Sequence, residues 1–109
     1  MSEQTEAIKK KVYISGAISG LPIEDVKKSF NRAEKILEES GFIPVNPIKV
    51  QPFVKDFTWL DYMKADIKAL VDCDAIYLLD NWESSKGAKI EVDLALSLGI
   101  YVINKDLNQ

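Results

Sequence analysis

At 109 residues the chain has room for one compact domain, and its 47% apolar content suffices for a packed core. A formal net charge of −3, with Arg32 as the sole arginine, excludes the clustered positive charge that a nucleic-acid polymer requires of its partner. The lack of histidine excludes Ser-His triads and the usual imidazole-ligated metals, while a single cysteine, Cys73, excludes an internal disulfide and argues against structural zinc.

Residues 1–10 are polar and lack the apolar core of a signal peptide, and no apolar run approaches membrane-spanning length. A polar tail over 1–10 and a soluble, cytoplasmic domain over 11–109, with no membrane partner, are therefore expected. Lys11 to Ser15 is β-rich and gives way to the turn-forming Gly16 to Pro22. From Ile23 to Ser40 the residues Val26, Phe30, Ala33, Ile36 and Leu37 recur at helical spacing, and Gly41 is a natural stop. Phe42 to Val45 makes a second strand, ended by Asn46-Pro47. Ile48 to Phe57 has no clear period and contains Pro52, so it reads as a loop.

Thr58 and Asp61 approximate a capping box for a helix whose apolar stripe is Trp59, Tyr62, Met63, Ile67, Leu70 and Val71. Ala75 to Leu79 is a third strand, Ala88 to Leu98 a helix closed by Gly99, and Ile100 to Ile103 a fourth strand. The strands are mostly unalternated apolar runs, as in a parallel sheet covered on both faces. Right-handed crossovers then predict an α/β fold: a single flavodoxin/Rossmann-like, three-layer domain with a mainly parallel sheet of four or five strands. The four identified strands take the order 2-1-3-4.

Three segments have the composition of a site. Tyr13 through Gly20 puts glycines after the first strand, where a backbone approaches a ligand, although neither a dinucleotide fingerprint nor a P-loop is present. A plain strand-to-helix turn explains the same residues. Trp59 through Leu70 places Asp66 one helical turn after Tyr62; spacing alone favours a solvated Asp66, which reaches the strand ends only if its helix starts above the sheet edge. Ser85-Lys86-Gly87-Ala88-Lys89-Ile90-Glu91 follows the third strand, at the edge where open parallel sheets bind ligands. Its bland reading is a cap followed by an exposed Glu91. Its functional reading is a carboxylate kept ionised by the nearby helix N-terminus. Asp72 and Asp74 flank Cys73 at the opposite edge and read as structural, and Cys73 as a buried small hydrophobe. Acid–base chemistry falls to carboxylates, lysines and tyrosines, and any phosphate ligand would be a backbone N–H, a hydroxyl or a lysine.

Taken in order, these motifs resemble the nucleoside 2-deoxyribosyltransferase superfamily over residues 11 to 103. The match is closest to its small branch with a Y-I-S-G-x-I-S-G start, a W-x-x-Y-M-x-x-D-I-x-x-L-x-x-C-D centre and a W-x-x-S-x-G-A-x-x-E end. The 2'-deoxynucleoside 5'-monophosphate N-glycosidases look like relatives. The resemblance implies an enzyme that cleaves the N-glycosidic bond of a nucleoside or nucleoside 5'-monophosphate, by hydrolysis or transfer. Position by position, it implies that Glu91 is the nucleophile at C1', Asp66 the acid that protonates the base, and Tyr13 the residue that orients the nucleophile. Ser15, Gly16, Ser19, Ser85 and Gly87 are implied to bind substrate. Neither metal nor other cofactor is implied, and a homo-oligomer, dimer or larger, is.

Two departures stand out. Nucleotide hydrolases of this kind carry a serine and an arginine in the first loop, where this chain has Ala17 and Ser19, so phosphate preference is weakened. The C-terminal segment with which family members complete a neighbour's site is expected to be missing or reduced. Two rival readings accompany the enzyme: a non-catalytic nucleotide-binding or sensing module, and an assembly protein using an apolar surface around Phe53, Phe57 and Trp59.

Overall fold

In the computed structural model, which describes residues 9–104, four parallel strands form one sheet in the order β2-β1-β3-β4. Here β1 is Lys11–Ser15, β2 Ile43–Val45, β3 Ala75–Leu78 and β4 Tyr101–Asn104. The expected tail over 1–10 lies outside the described residues except for Lys9 and Lys10, as do positions 105–109. The expected α/β architecture and strand order are both found. Helices α1 (Ile23–Glu39), α2 (Pro47–Val50), α3 (Trp59–Val71) and α4 (Lys86–Leu98) connect the strands, with a 3-10 turn at Trp82–Ser84.

Side chains alternate across the sheet with period two, and this sorts the core into two layers. Val12 and Ile14 of β1 and Ala75 and Tyr77 of β3 face α1, where Val26, Phe30, Ala33 and Leu37 close the packing. Tyr13, Ile76 and Leu78 face the other way, onto Leu70 of α3 and Val92 and Ala95 of α4. Ser15 has the parity of Tyr13, so β1 turns a phenol and a hydroxyl toward the α3–α4 layer. The register pairs Tyr13 with Ile76 and Ser15 with Leu78, so both polar residues stand on a central strand.

Local chemistry accounts for the element ends. α1 stops where Gly41 takes a left-handed φ of 91°, and the amides of Gly41 and Phe42 bond back to Glu38 and Leu37. α3 begins with the expected capping box, the Thr58 hydroxyl accepting from the Asp61 amide and the Asp61 carboxylate accepting from that of Thr58. Two segments differ from expectation. Pro47–Val50 is a single helical turn rather than loop, because the Asn46 side chain accepts from the Ile48 amide and Pro47 starts the turn. α4 starts at Lys86 rather than Ala88, because Ser85 is its N-cap and accepts from the Ala88 amide.

At the N-terminal edge of the sheet, Lys11 bonds the exposed Asp72 carboxylate through its ammonium and the Asp74 carboxylate through its backbone amide. These aspartates are structural, as expected. Cys73 is buried beside them, and burial pushes its thiol up to about 11, leaving it unreactive. Among the described residues, no helix is long and apolar enough to cross a membrane.

Candidate active site

The strand order reverses between β1 and β3, and in open α/β sheets the crevice beyond the strand ends at that point receives ligands. A cavity of about 1010 Å³ lies there, walled by the β1–α1 loop, α2, the 51–57 loop, α3 and the start of α4. α3 forms one wall of this cavity. Trp59, Tyr62, Met63 and Asp66, spaced as one helical face, all line the cavity. This geometry brings Asp66 to the strand ends despite its place two turns into the helix.

Glu91 stands at the floor and is only 4% exposed. Ser15 Oγ donates to Glu91 Oε1 at 2.7 Å and Tyr13 Oη donates to Oε2 at 3.0 Å. Both carboxylate oxygens are therefore gripped by buried hydroxyls of β1. Glu91 is thus buried, which removes the bland reading of an exposed side chain on the helix surface. Ser15, expected among the substrate-binding residues, commits its hydroxyl proton to Glu91. Asp66 lines the same cavity from α3, and its carboxyl makes no hydrogen bond to the described residues.

Burial decides the protonation of both acids. It pushes Glu91 up to about 7, against the Ser15 hydroxyl bond, with the Asp66 charge adding to the push and the Tyr13 bond opposing it. Burial likewise raises Asp66 to about 6. The helix N-terminus was expected to keep Glu91 ionised; loss of water outweighs it, and Glu91 is the acid raised higher. Tyr13 is held well above its ordinary value by burial and by the charges of Glu91 and Asp66, so it stays a donor. Two interacting carboxyls of this kind titrate as a pair and hold one proton between them near neutrality.

The remaining expected residues also line the cavity. Ser19 is exposed on its wall. Ser85 lends its oxygen to the α4 cap, leaving its hydroxyl proton to donate. Gly87 lets α4 approach α3, since a Cβ there would come within 3.1 Å of Met63 Sδ. Gly16 is required by packing as much as by any ligand, because a Cβ would meet Leu79 Cδ1 at 2.5 Å. Phe53 and Trp59 belong to the cavity wall, and Phe57 packs edge-on against Tyr62 at 5.0 Å between centroids.

Several contacts at the site were not anticipated. Asn81 Oδ1 accepts from the Ala17 amide at 3.0 Å and ties the two loops at the strand ends. The Tyr62 hydroxyl accepts from the Val54 amide and donates to the Val54 carbonyl, pinning the 51–57 loop over the cavity. Lys86 Nζ lies 4.7 Å from the centroid of the Trp59 ring. The Asn46-Pro47 pair was the available signal for the α2 turn; the others depend on tertiary packing. Among the described residues no cluster of acids, cysteine or histidine is arranged to hold a metal ion.

Solved structures with this fold include a 2-deoxyribosyltransferase from the psychrotolerant bacterium Bacillus psychrosaccharolyticus, at 21% identity and a TM-score of 0.66. The similarity covers 86% of this chain and 70% of that one. A 2-desoxiribosyltransferase from Leishmania mexicana is similar at 19% identity and a TM-score of 0.65, over 87% of this chain and 63% of that one. The resemblance read from the motifs is thus borne out in the fold. No curated protein matches the chain by sequence. Residues 10–104 match a family described as a domain of unknown function, DUF4406, and the chain belongs to that family.

Proposed function

We propose that this protein cleaves the N-glycosidic bond of a nucleoside or nucleoside 5'-monophosphate, with Glu91 as nucleophile. The observation that carries this reading is the grip on Glu91: a buried carboxylate, held at both oxygens by Tyr13 and Ser15, in a cavity that Asp66 also faces. The fold shared with two deoxyribosyltransferases supports it.

The reaction follows from the residue types. The ionised Glu91 attacks C1' as the C1'–N bond breaks, and the bond's electron pair leaves with the base. The Asp66 carboxylic acid gives its proton to that base and becomes a carboxylate. The resulting glycosyl ester is resolved by water or by a second base. Asp66 takes the proton of that nucleophile, and Glu91 is released. The working state, Glu91 ionised and Asp66 protonated, carries one proton on the pair. Substrate that covers the more exposed Asp66 strips its water and raises it further, while positive charge developing at C1' favours an ionised Glu91.

A panel of deoxynucleosides, ribonucleosides and their monophosphates, with and without a second base, tests the reading by chromatography of free base. Base release that disappears in Glu91→Gln is the expected result. Binding without release would establish the sensing module instead, and neither response would leave the assembly protein. The same reading carries a homo-oligomer, which the 84% exposed Phe53 and 55% exposed Leu60 beside the cavity favour. Sedimentation velocity showing a monomer at all concentrations would remove that part.

A further inference from the structure

We infer that Lys86 is the specificity-determining residue that selects substrates bearing an anionic group, and that the same ligand releases the Trp59 ring at the cavity mouth. This rests on the glycosidic reading of the site and names the substrate class within it: a nucleotide monoester rather than a neutral nucleoside.

The charged groups lining the cavity are segregated by depth. The carboxyls, Glu91 and Asp66, lie toward the floor, and the cations are the exposed Lys27, Lys49 and Lys86. Lys49 is neutralised by Glu34 at 2.9 Å, and Lys27 stands 3.9 Å from Glu24. Lys86 has no carboxylate partner among the described residues; its ammonium rests on the Trp59 ring. An anionic group entering this cavity is repelled from the floor and drawn to the mouth, which leaves the opposite end of the ligand for the acids. Helix geometry gives the span, about 7.5 Å of rise from Lys86 to Glu91 and about 10 Å from Trp59 to Asp66.

The Lys86–Trp59 contact is an exposed cation–π pair, the weaker kind, whereas an ammonium–phosphate hydrogen bond is charge-assisted. A phosphate at the mouth therefore wins Lys86 from the ring and changes the surroundings of the indole. No such exchange is open to a neutral nucleoside. Lys86 thus supplies at the start of α4 the cation that Ala17 and Ser19 do not provide in the first loop.

The test uses the intact protein and calorimetric titration with a deoxynucleoside, its 5'-monophosphate and inorganic phosphate, alongside tryptophan fluorescence. The monophosphate is expected to bind about tenfold or more tightly than the nucleoside. In Lys86→Gln that preference should fall about tenfold, while Lys86→Arg should keep most of it. Monophosphate or inorganic phosphate should change the fluorescence, the nucleoside should not, and the change should vanish in Trp59→Phe. A preference that survives in Lys86→Gln, or a Trp59 signal equal for both ligands, overturns the inference and leaves the glycosidic reading intact. Binding of neither ligand together with no base release overturns both.

Discussion

The two ends of this sheet hold the same kind of residue in opposite conditions. At the N-terminal edge Asp72 is exposed and paired with Lys11, whose hydrogen bond holds its carboxyl below the ordinary range. At the C-terminal edge Glu91 and Asp66 are withdrawn from water without a cation, and both are raised, to about 7 and about 6. An acid paired at the surface gives a little stability and no chemistry. An acid stripped of water and left unneutralised is a burden on the fold, and it is also a group whose proton can move at neutral pH. The difference between the ends lies in solvation and partners rather than residue type.

That contrast breaks first at Glu91. Glu91→Gln should lower base release by about 10⁴-fold or more, since it removes the attacking atom. Asp66→Asn should lower turnover by about 10²- to 10⁴-fold and change substrate affinity far less, read as kcat against KM. Unchanged turnover would strip Asp66 of its acid role. The pH profile of kcat/KM should be bell-shaped, with limbs near 6 and 7 set by the carboxyl pair. A single limb would show that one acid alone controls the reaction.

Stability sharpens the same comparison. The folded protein keeps a proton on Glu91 up to about 7, whereas an unfolded chain releases it near 4.5, so Glu91 favours the folded state only at low pH. That contribution is lost as pH rises from about 4.5 through 7. Glu91→Gln should then stabilise the fold at pH 8 by on the order of 3 kcal/mol and have little effect at pH 4, measured by urea unfolding. Asp72→Asn should act in the reverse sense and more weakly. The lowered carboxyl contributes above its unfolded value and loses that contribution as pH falls through the folded one, and salt should erase the effect. Equal responses at the two ends would overturn the distinction.

Most of the fold could be read from residue patterns, because unbroken apolar runs of β-rich residues mark buried parallel strands. The α2 turn was hidden because four residues carry no period, and because its cap, Asn46, is itself set by bonds to Asn31 and Glu34 of α1. The start of α4 was hidden because Lys86 and Gly87 precede the apolar stripe, although Ser85 already caps them. Glu91, Asp66 and Tyr13 were identified as a group through the family resemblance. Ser15 follows from parity with Tyr13, once one asks what the polar side of β1 faces. The protonation of Glu91 was beyond reach, since it depends on how completely α4 and the sheet exclude water. The Lys86–Trp59 contact depends on the approach of α3 to α4, which no local pattern encodes.

The placement of Tyr13 and Ser15 on a central strand also governs when the site is lost. Both are 1% exposed, and β1 is bonded on either side by β2 and β3, so the hydroxyls that grip Glu91 can leave it only when the sheet itself opens. The 51–57 loop above them is held mainly through Tyr62, by two hydrogen bonds to its hydroxyl and by Phe57 against its ring, and can open alone. Amide exchange should therefore be slowest at the floor, following global unfolding, and fast at the cover. The grip on Glu91 has no melting transition of its own; it survives as long as the molecule does.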